Sequence, residues 1–371
     1  MTRPPKSPIR VLVVDDSAFM RLLLTDILNS DPDIQVIDSA EDVPMARRKI
    51  KELDPDVLTL DVEMPGMDGL SFLEKIMTLR PMPVVMISEH TRSGSDLAFS
   101  AFELGAFDVI DKTSINLNNM PEFKSAEIIS KVKAASMANV AVSRPQVPRP
   151  SPRPSPSPSP RPPGPDSGSD QACTLAVGKV AFIGASAGGV EAMRNLVSHL
   201  PELCPPILYA QHMPAEFIPH FTQRLDECSS LTVKLAEDGE RLRDGTLYVG
   251  PGGYDLEIAP RQGDYVCHLR DADPAAKHKP SVDKLFHSAA RVVGSDAIGV
   301  ILTGMGRDGA AGLLAMRVAG ARTIGQDEAT ALIYGMPRAA EELGAVEKQL
   351  PLRLIPKAIL EAAKMGSTRT S

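Results

Sequence analysis

Residues 143 to 165 read SRPQVPRPSPRPSPSPSPRPPGP and hold eleven of the chain's 33 prolines. Each proline removes a backbone donor and fixes φ, so at this density neither a helix nor a sheet ladder forms. The segment is expected to be disordered or extended polyproline II, reaching roughly 70 Å at about 3.1 Å per residue. A single core cannot be built through such a stretch. The 371 residues therefore divide into two units, 8–134 and 176–366, joined by a Pro/Ser/Arg-rich linker over 135–175. The linker reads as a spacer. A docking site for a proline-binding module is the rival reading, and no motif singles it out.

Charge narrows the class. The net charge of −7 comes from interspersed signs, which leaves no electrostatic footprint for nucleic acid. Cys173, Cys204, Cys228 and Cys267 form no Cys-x-x-Cys pair, so neither a zinc site nor a disulfide framework is indicated. Reduced thiols in a cytoplasmic protein are expected. The opening MTRPPKSPIR has no apolar signal core. No apolar run approaches the roughly 18 residues that a membrane span needs. Trp is absent and aromatics are 4%, so Val, Ile, Leu, Met and Ala must fill the cores.

Both units alternate strand and helix patterns. In the first, strands are expected at Ile9 to Val14, Ile34 to Ile37, Val57 to Leu60, Val84 to Ile87 and Val109-Ile110. Met20, Leu23, Leu24, Ile27 and Leu28 recur at helical spacing. Five strand–helix units point to a doubly wound α/β fold with a five-stranded parallel, flavodoxin-like sheet. In the second unit, strands at Val180 to Ile183, Ile207 to Ala210 and Ala297 to Leu302 alternate with helices. One of these presents Val282, Leu285, Phe286, Ala289, Ala290 and Val293 on a single face. A mostly parallel α/β sheet is expected here too. The short strands and Gly-rich turns of Thr232 to Leu269 read as an antiparallel portion or edge.

Ligands of open parallel sheets bind beyond the carboxyl ends of the strands. Asp15, Asp16, Asp61, Ser88 and Lys112 all fall near such ends. Three carboxylates brought together repel one another unless a hard divalent cation lies between them. Mg²⁺ takes oxygen ligands and bridges phosphoryl groups. One carboxylate can then attack phosphorus to give an acyl phosphate, with Lys112 and Ser88 facing the phosphoryl oxygens. With 61-DVEMPGMDG-69, residues 8 to about 134 resemble the response-regulator receiver domain. The resemblance implies Asp61 as phosphoacceptor, Asp15, Asp16 and Asp61 as Mg²⁺ ligands, and Ser88 and Lys112 as switch residues. Thr113 stands where such domains usually have proline, and Val109 where many have an aromatic residue.

The second unit carries 182-FIGASAGG-189, 210-AQHMP-214 and 302-LTGMGRDG-309, each after an apolar strand. They expose Ser186, His212 and Asp308: a nucleophile, a base and an acid that fixes the imidazole tautomer. The turn after Ser186 opens a helix whose free N–H groups favour a developing oxyanion. Chain order differs from the α/β-hydrolases, where the acid precedes the histidine. Dinucleotide binding is the rival for the Gly-rich turn. It needs an acidic residue at the end of the next strand, where this chain has His212. The other histidines show no metal-ligand spacing, and no metal is expected at this site.

With 279-KPSVDKLF-286 and 325-GQDEATALIYGMPRAA-340 added, this unit resembles the catalytic domain of the chemotaxis protein-glutamate methylesterases. The resemblance implies a Ser186–His212–Asp308 triad, with the backbone N–H groups of Met305 and Ala187 forming the oxyanion hole. It implies hydrolysis of glutamyl methyl esters, and deamidation of glutamines, on chemoreceptor cytoplasmic helices. Phosphorylation by the chemotaxis histidine kinase would activate the enzyme by uncovering the cleft. Ala187 stands where the family often has threonine. Asp255, in 251-PGGYD-255, stands where it often has histidine; no role is assigned to it. A catalytically silent scaffold and a DNA-binding response regulator are the competing classes. The intact triad speaks against the first, and the α/β alternation with no basic recognition helix speaks against the second.

Overall fold

The computed structural model describes residues 7–64, 68–88, 100–102, 104–112, 122–138, 178–272 and 279–364. The proline-rich segment and Thr113 lie outside these residues.

The first unit is a five-stranded parallel sheet in the order β2-β1-β3-β4-β5. Its strands are β1 (Ile9–Val14), β2 (Ile34–Ala40), β3 (Val57–Asp61), β4 (Val84–Ser88) and β5 (Asp108–Asp111). Between them run α1 (Ala18–Asn29), α2 (Val43–Leu53) and α3 (Gly69–Leu79), and α4 (Glu122–Ser136) follows β5. Helix α1 starts where the Ser17 hydroxyl accepts from the Met20 N–H. It buries Met20, Leu23, Leu24, Ile27 and Leu28, the face that the 3.6-residue period marks out. The strand order reverses between β1 and β3, so the carboxyl ends of these neighbours open a crevice.

The second unit is a seven-stranded parallel sheet in the order β14-β13-β12-β6-β7-β9-β8. Its strands are β6 (Val180–Ala185), β7 (Ile207–Gln211), β8 (Thr232–Leu235), β9 (Thr246–Val249), β12 (Ala297–Ile301), β13 (Arg322–Gln326) and β14 (Lys348–Leu350). A separate antiparallel pair, β10 (Tyr254–Arg261) and β11 (Asp264–Asp271), lies in register from Tyr254↔Asp271 to Arg261↔Asp264. The antiparallel reading of the Thr232 to Leu269 stretch thus holds for β10 and β11. β8 and β9 instead extend the parallel sheet. Helices α5 (Gly189–Val197), α6 (Ile218–Glu227), α7 (Val282–Val292), α8 (Ala310–Val318), α9 (Met336–Glu342) and α10 (Ile355–Lys364) flank the sheets.

Every residue of β6, β7 and β12 is buried. Strands covered on both faces read as continuous apolar runs, which is why the sequence shows them clearly. The order reverses at β6, whose neighbours are β7 and β12. The ends of these three strands surround the second crevice.

Candidate active site

Ser186 follows β6 directly, His212 follows β7, and Asp308 lies in the turn between β12 and α8. Their backbones are tied together. The His212 N–H donates to Ala185 O at 3.1 Å, and the Ser186 N–H to Thr303 O at 3.0 Å. The side-chain amide of Gln211, 2% exposed, donates to Ser186 O at 2.9 Å and His212 O at 3.0 Å. Its carbonyl accepts from the buried Tyr209 hydroxyl. One glutamine thus clamps the Ser186 turn to the end of β7, where His212 follows. The buried Thr303 hydroxyl adds a second tie, donating to Ala187 O at 3.0 Å and accepting from the Ile333 N–H at 2.9 Å.

His212 Nε2 and Asp308 Oδ2 are 2.7 Å apart. Three further donors reach the same carboxylate: the Ser281 hydroxyl at 3.1 Å, the Val282 N–H at 2.8 Å and the Asp283 N–H at 2.9 Å. Val282 and Asp283 open α7 and Ser281 is its N-cap, so Asp308 sits at the positive end of a helix. Burial raises its pKa. The hydrogen bond and charge of His212, with the two backbone N–H groups, outweigh that and hold the carboxyl well below the usual range. Asp283 in turn accepts from the Gly312 N–H in the first turn of α8 at 2.7 Å. Each helix therefore caps the other: the residue just ahead of α8 holds the start of α7, and a residue of α7 holds the start of α8.

Gly304 brings the next turn against the serine. A Cβ there would lie 2.8 Å from Ser186 Cβ and 3.0 Å from Ser186 N, so only glycine permits this approach. Met305, which follows, and Ala187 accordingly flank Ser186. The Met305 turn also meets the first unit: its sulfur accepts from the Ser130 hydroxyl of α4 at 3.7 Å. Ile333 belongs to the apolar cluster of Phe107, Ile110, Ile128 and Val132, and Ala187, Met305 and Leu332 pack against it.

In the first unit, one oxygen from each of Asp15, Asp16 and Asp61 lies within 4.8 Å of the others. Lys112 Nζ stands 2.7 Å from Asp61 Oδ2 and 3.1 Å from Asp15 Oδ2. Asp15 and Asp61 are almost fully buried. Burial pushes Asp61 up to about 6; the Lys112 hydrogen bond opposes this, and the charge of Asp15 adds to it. Burial likewise raises Asp15, against the pull of Lys112. A set of three hard oxygen donors, two of them buried, suits a hard divalent cation. Ser88 ends the next strand and is buried, one residue beyond Ile87, which pairs with Asp61.

All ten residues singled out in the sequence therefore lie around two crevices, one per sheet. Gln211, Thr303 and the Ser281–Asp283 turn lie within the motifs of the sequence analysis, which assigns them no individual role. Gln211 had a signal: a polar residue closing an apolar strand, directly before the histidine.

Two family models match the chain: "CheB methylesterase" over residues 181–359 and "Response regulator receiver domain" over residues 11–122. The chain is 48% identical over 355 residues to a protein-glutamate methylesterase/protein-glutamine glutaminase 1 of Caulobacter vibrioides, covering 96% of this chain and 98% of that one. It is 46% identical over 352 residues to a protein-glutamate methylesterase/protein-glutamine glutaminase of Nitrosomonas europaea, covering 95% and 96%. It also resembles the crystal structure of the Thermotoga maritima CheB methylesterase catalytic domain, at 36% identity and a TM-score of 0.49, over 50% of this chain and 99% of that one.

Proposed function

The chain belongs to the CheB methylesterase family of protein-glutamate methylesterases/protein-glutamine glutaminases, and from that premise we propose a phosphorylation-activated serine hydrolase that demethylates and deamidates chemoreceptors. The observation that carries the chemistry is the His212–Asp308 hydrogen bond of 2.7 Å beside the Ser186 turn.

With Nε2–H assigned to Asp308, the imidazole lone pair lies on Nδ1, and that nitrogen is the base. It takes the Ser186 proton as Oγ attacks the γ-carbonyl of a glutamyl methyl ester. The tetrahedral oxyanion is held by the backbone N–H groups of Ala187 and Met305. Collapse expels methanol, which leaves with the proton from His212. Water, deprotonated by the same imidazole, then cleaves the acyl-enzyme to free glutamate and Ser186. A glutamine follows the same route with ammonia leaving. Asp308, fixed as an anion, stabilises the imidazolium in both steps.

The receiver unit, 8–134, sets the level of this activity, with 135–175 linking it to the catalytic unit, 176–366. Asp61 takes the phosphoryl group from the chemotaxis histidine kinase, and Ser88 and Lys112 respond to it. Mg²⁺ is the cation that suits Asp15, Asp16 and Asp61; when bound it neutralises the charge on the incoming phosphoryl oxygens. The packing of Ile333, Leu332, Met305 and Ala187 against the receiver's apolar cluster supports a receiver that restrains the oxyanion side of the cleft until Asp61 is phosphorylated. No helix among the described residues is long and apolar enough to cross a membrane; the setting proposed is the cytoplasm.

The test is methanol release from methylated receptor membranes, with and without a small phosphodonor. Release should depend on Ser186 and rise with the donor. Equal release by wild type and Ser186→Ala overturns the hydrolase reading. Equal basal rates for the full chain and a chain lacking residues 1–140 overturn the restraint.

A further inference from the structure

Asp255, which the family resemblance leaves without a role, lies at the start of β10 and is 0% exposed. Its Oδ1 accepts from the Ser281 N–H at 2.9 Å, and its Oδ2 pairs with Lys284 Nζ. These two contacts bracket the first turn of α7. The same turn supplies the Ser281 hydroxyl, the Val282 N–H and the Asp283 N–H, the three donors that hold Asp308 apart from His212. The Ser281 hydroxyl serves twice, since it also accepts from the Lys284 N–H at 3.4 Å.

We infer that Asp255 is a positioning residue of the hydrolytic site: its carboxylate fixes the first turn of α7 from behind, and that turn aims Asp308 at His212. The inference rests on the triad reading above. A fully buried carboxylate is costly unless paired and hydrogen-bonded, and an apolar side chain would fill the space at less cost. What the carboxylate adds is direction. It gives the Ser281 N–H one acceptor in one place and ties the other end of the turn to the same group. Asp308 receives its geometry from a backbone segment that the Gly312 N–H holds at Asp283 and that Asp255 holds at Ser281 and Lys284. A small rotation of that segment would move Asp308 off the imidazole edge, and misplacement by about 1 Å costs about 100-fold in unfavourable cases.

The measurement is the rate at which a serine-reactive fluorophosphonate labels the full-length chain, with kcat and KM for methanol release in parallel. Asp255→Ala should lower the labelling rate and kcat by about tenfold with KM within about twofold. Asp255→Asn keeps the acceptor for Ser281 and should recover part of the loss. Lys284→Met, which removes one of the two brackets, should fall between wild type and Asp255→Ala. Wild-type labelling and kcat in both Asp255 variants overturn the inference, as does a raised KM with kcat unchanged, which would make Asp255 a substrate contact. If Asp255→Ala does not fold by circular dichroism, the Asn and Met variants decide alone. Ser186→Ala is the separate control: labelling that persists there refutes the triad and leaves no site for Asp255 to position.

Discussion

The two units place carboxylates at the same point of the same architecture, the crevice where a parallel sheet reverses its strand order, and treat them in opposite ways. Asp308 is surrounded by four donors, and its pKa is held down despite burial. Asp15 and Asp61 share one lysine, and burial raises both. The difference fits the role proposed for each charge. A charge that must stay fixed while a neighbouring imidazole gains and loses a proton is best saturated in advance. Charges that must take up a cation and a phosphoryl group are left crowded, so that the incoming partner supplies the missing compensation.

Substitutions can sharpen or break this contrast. The largest effect is expected for Ser186→Ala, which should lower methanol release by about 10⁴-fold or more, with Ser186→Ala/His212→Ala no worse than the single change. A double variant that loses much more would mean that the two residues do not act as a unit. Asp61→Asn removes the central acceptor of the crowded site. Labelling by a small phosphodonor with Mg²⁺ should fall to background while basal, Ser186-dependent release persists; undiminished labelling would move the acceptor elsewhere.

Gln211→Leu tests whether the saturated site depends on its ties as much as on its triad. The variant leaves Ser186 O and His212 O without their amide donor. It should cost about 1–3 kcal/mol in urea unfolding and about tenfold in kcat. The smallest effect concerns pH. A carboxyl lowered in the folded state stabilises fully above its unfolded value, near about 3.9, and loses that contribution as pH falls through the folded value. The stability difference between wild type and Asp308→Asn should stay level from neutral pH to about 5 and shrink below about 4. A difference that grew on acidification would show that Asp308 is not held as an anion.

Much of this was legible because central parallel strands are buried on both faces. β1, β3, β6, β7 and β12 appear as mainly apolar runs, broken only by Arg10 in β1 and Thr59 in β3 before their last residues, and the residue at or just after the end of each run marks a crevice. The edge strand β14, with two exposed residues in three, gives no such run and was not seen. β8 and β9 were read with their Gly-rich surroundings as antiparallel, because ten residues separate them and no helix pattern fills the gap. The supports of Asp308 were hidden for another reason. Ser281, Val282 and Asp283 act largely through backbone N–H groups, which carry no sequence signature, and Asp255 acts from a strand 53 positions before the acid it serves.

The wide spacing of the three proposed catalytic positions has a consequence during synthesis. His212 and Asp308 are 96 residues apart, and β12, the central strand just ahead of Asp308, completes the sheet around β6. At about 5–20 residues per second, the ribosome needs on the order of ten seconds to cover that interval. Throughout it the receiver has already emerged, while serine and histidine exist without their acid. The nascent chain is thus a poor hydrolase until its regulator has had time to fold.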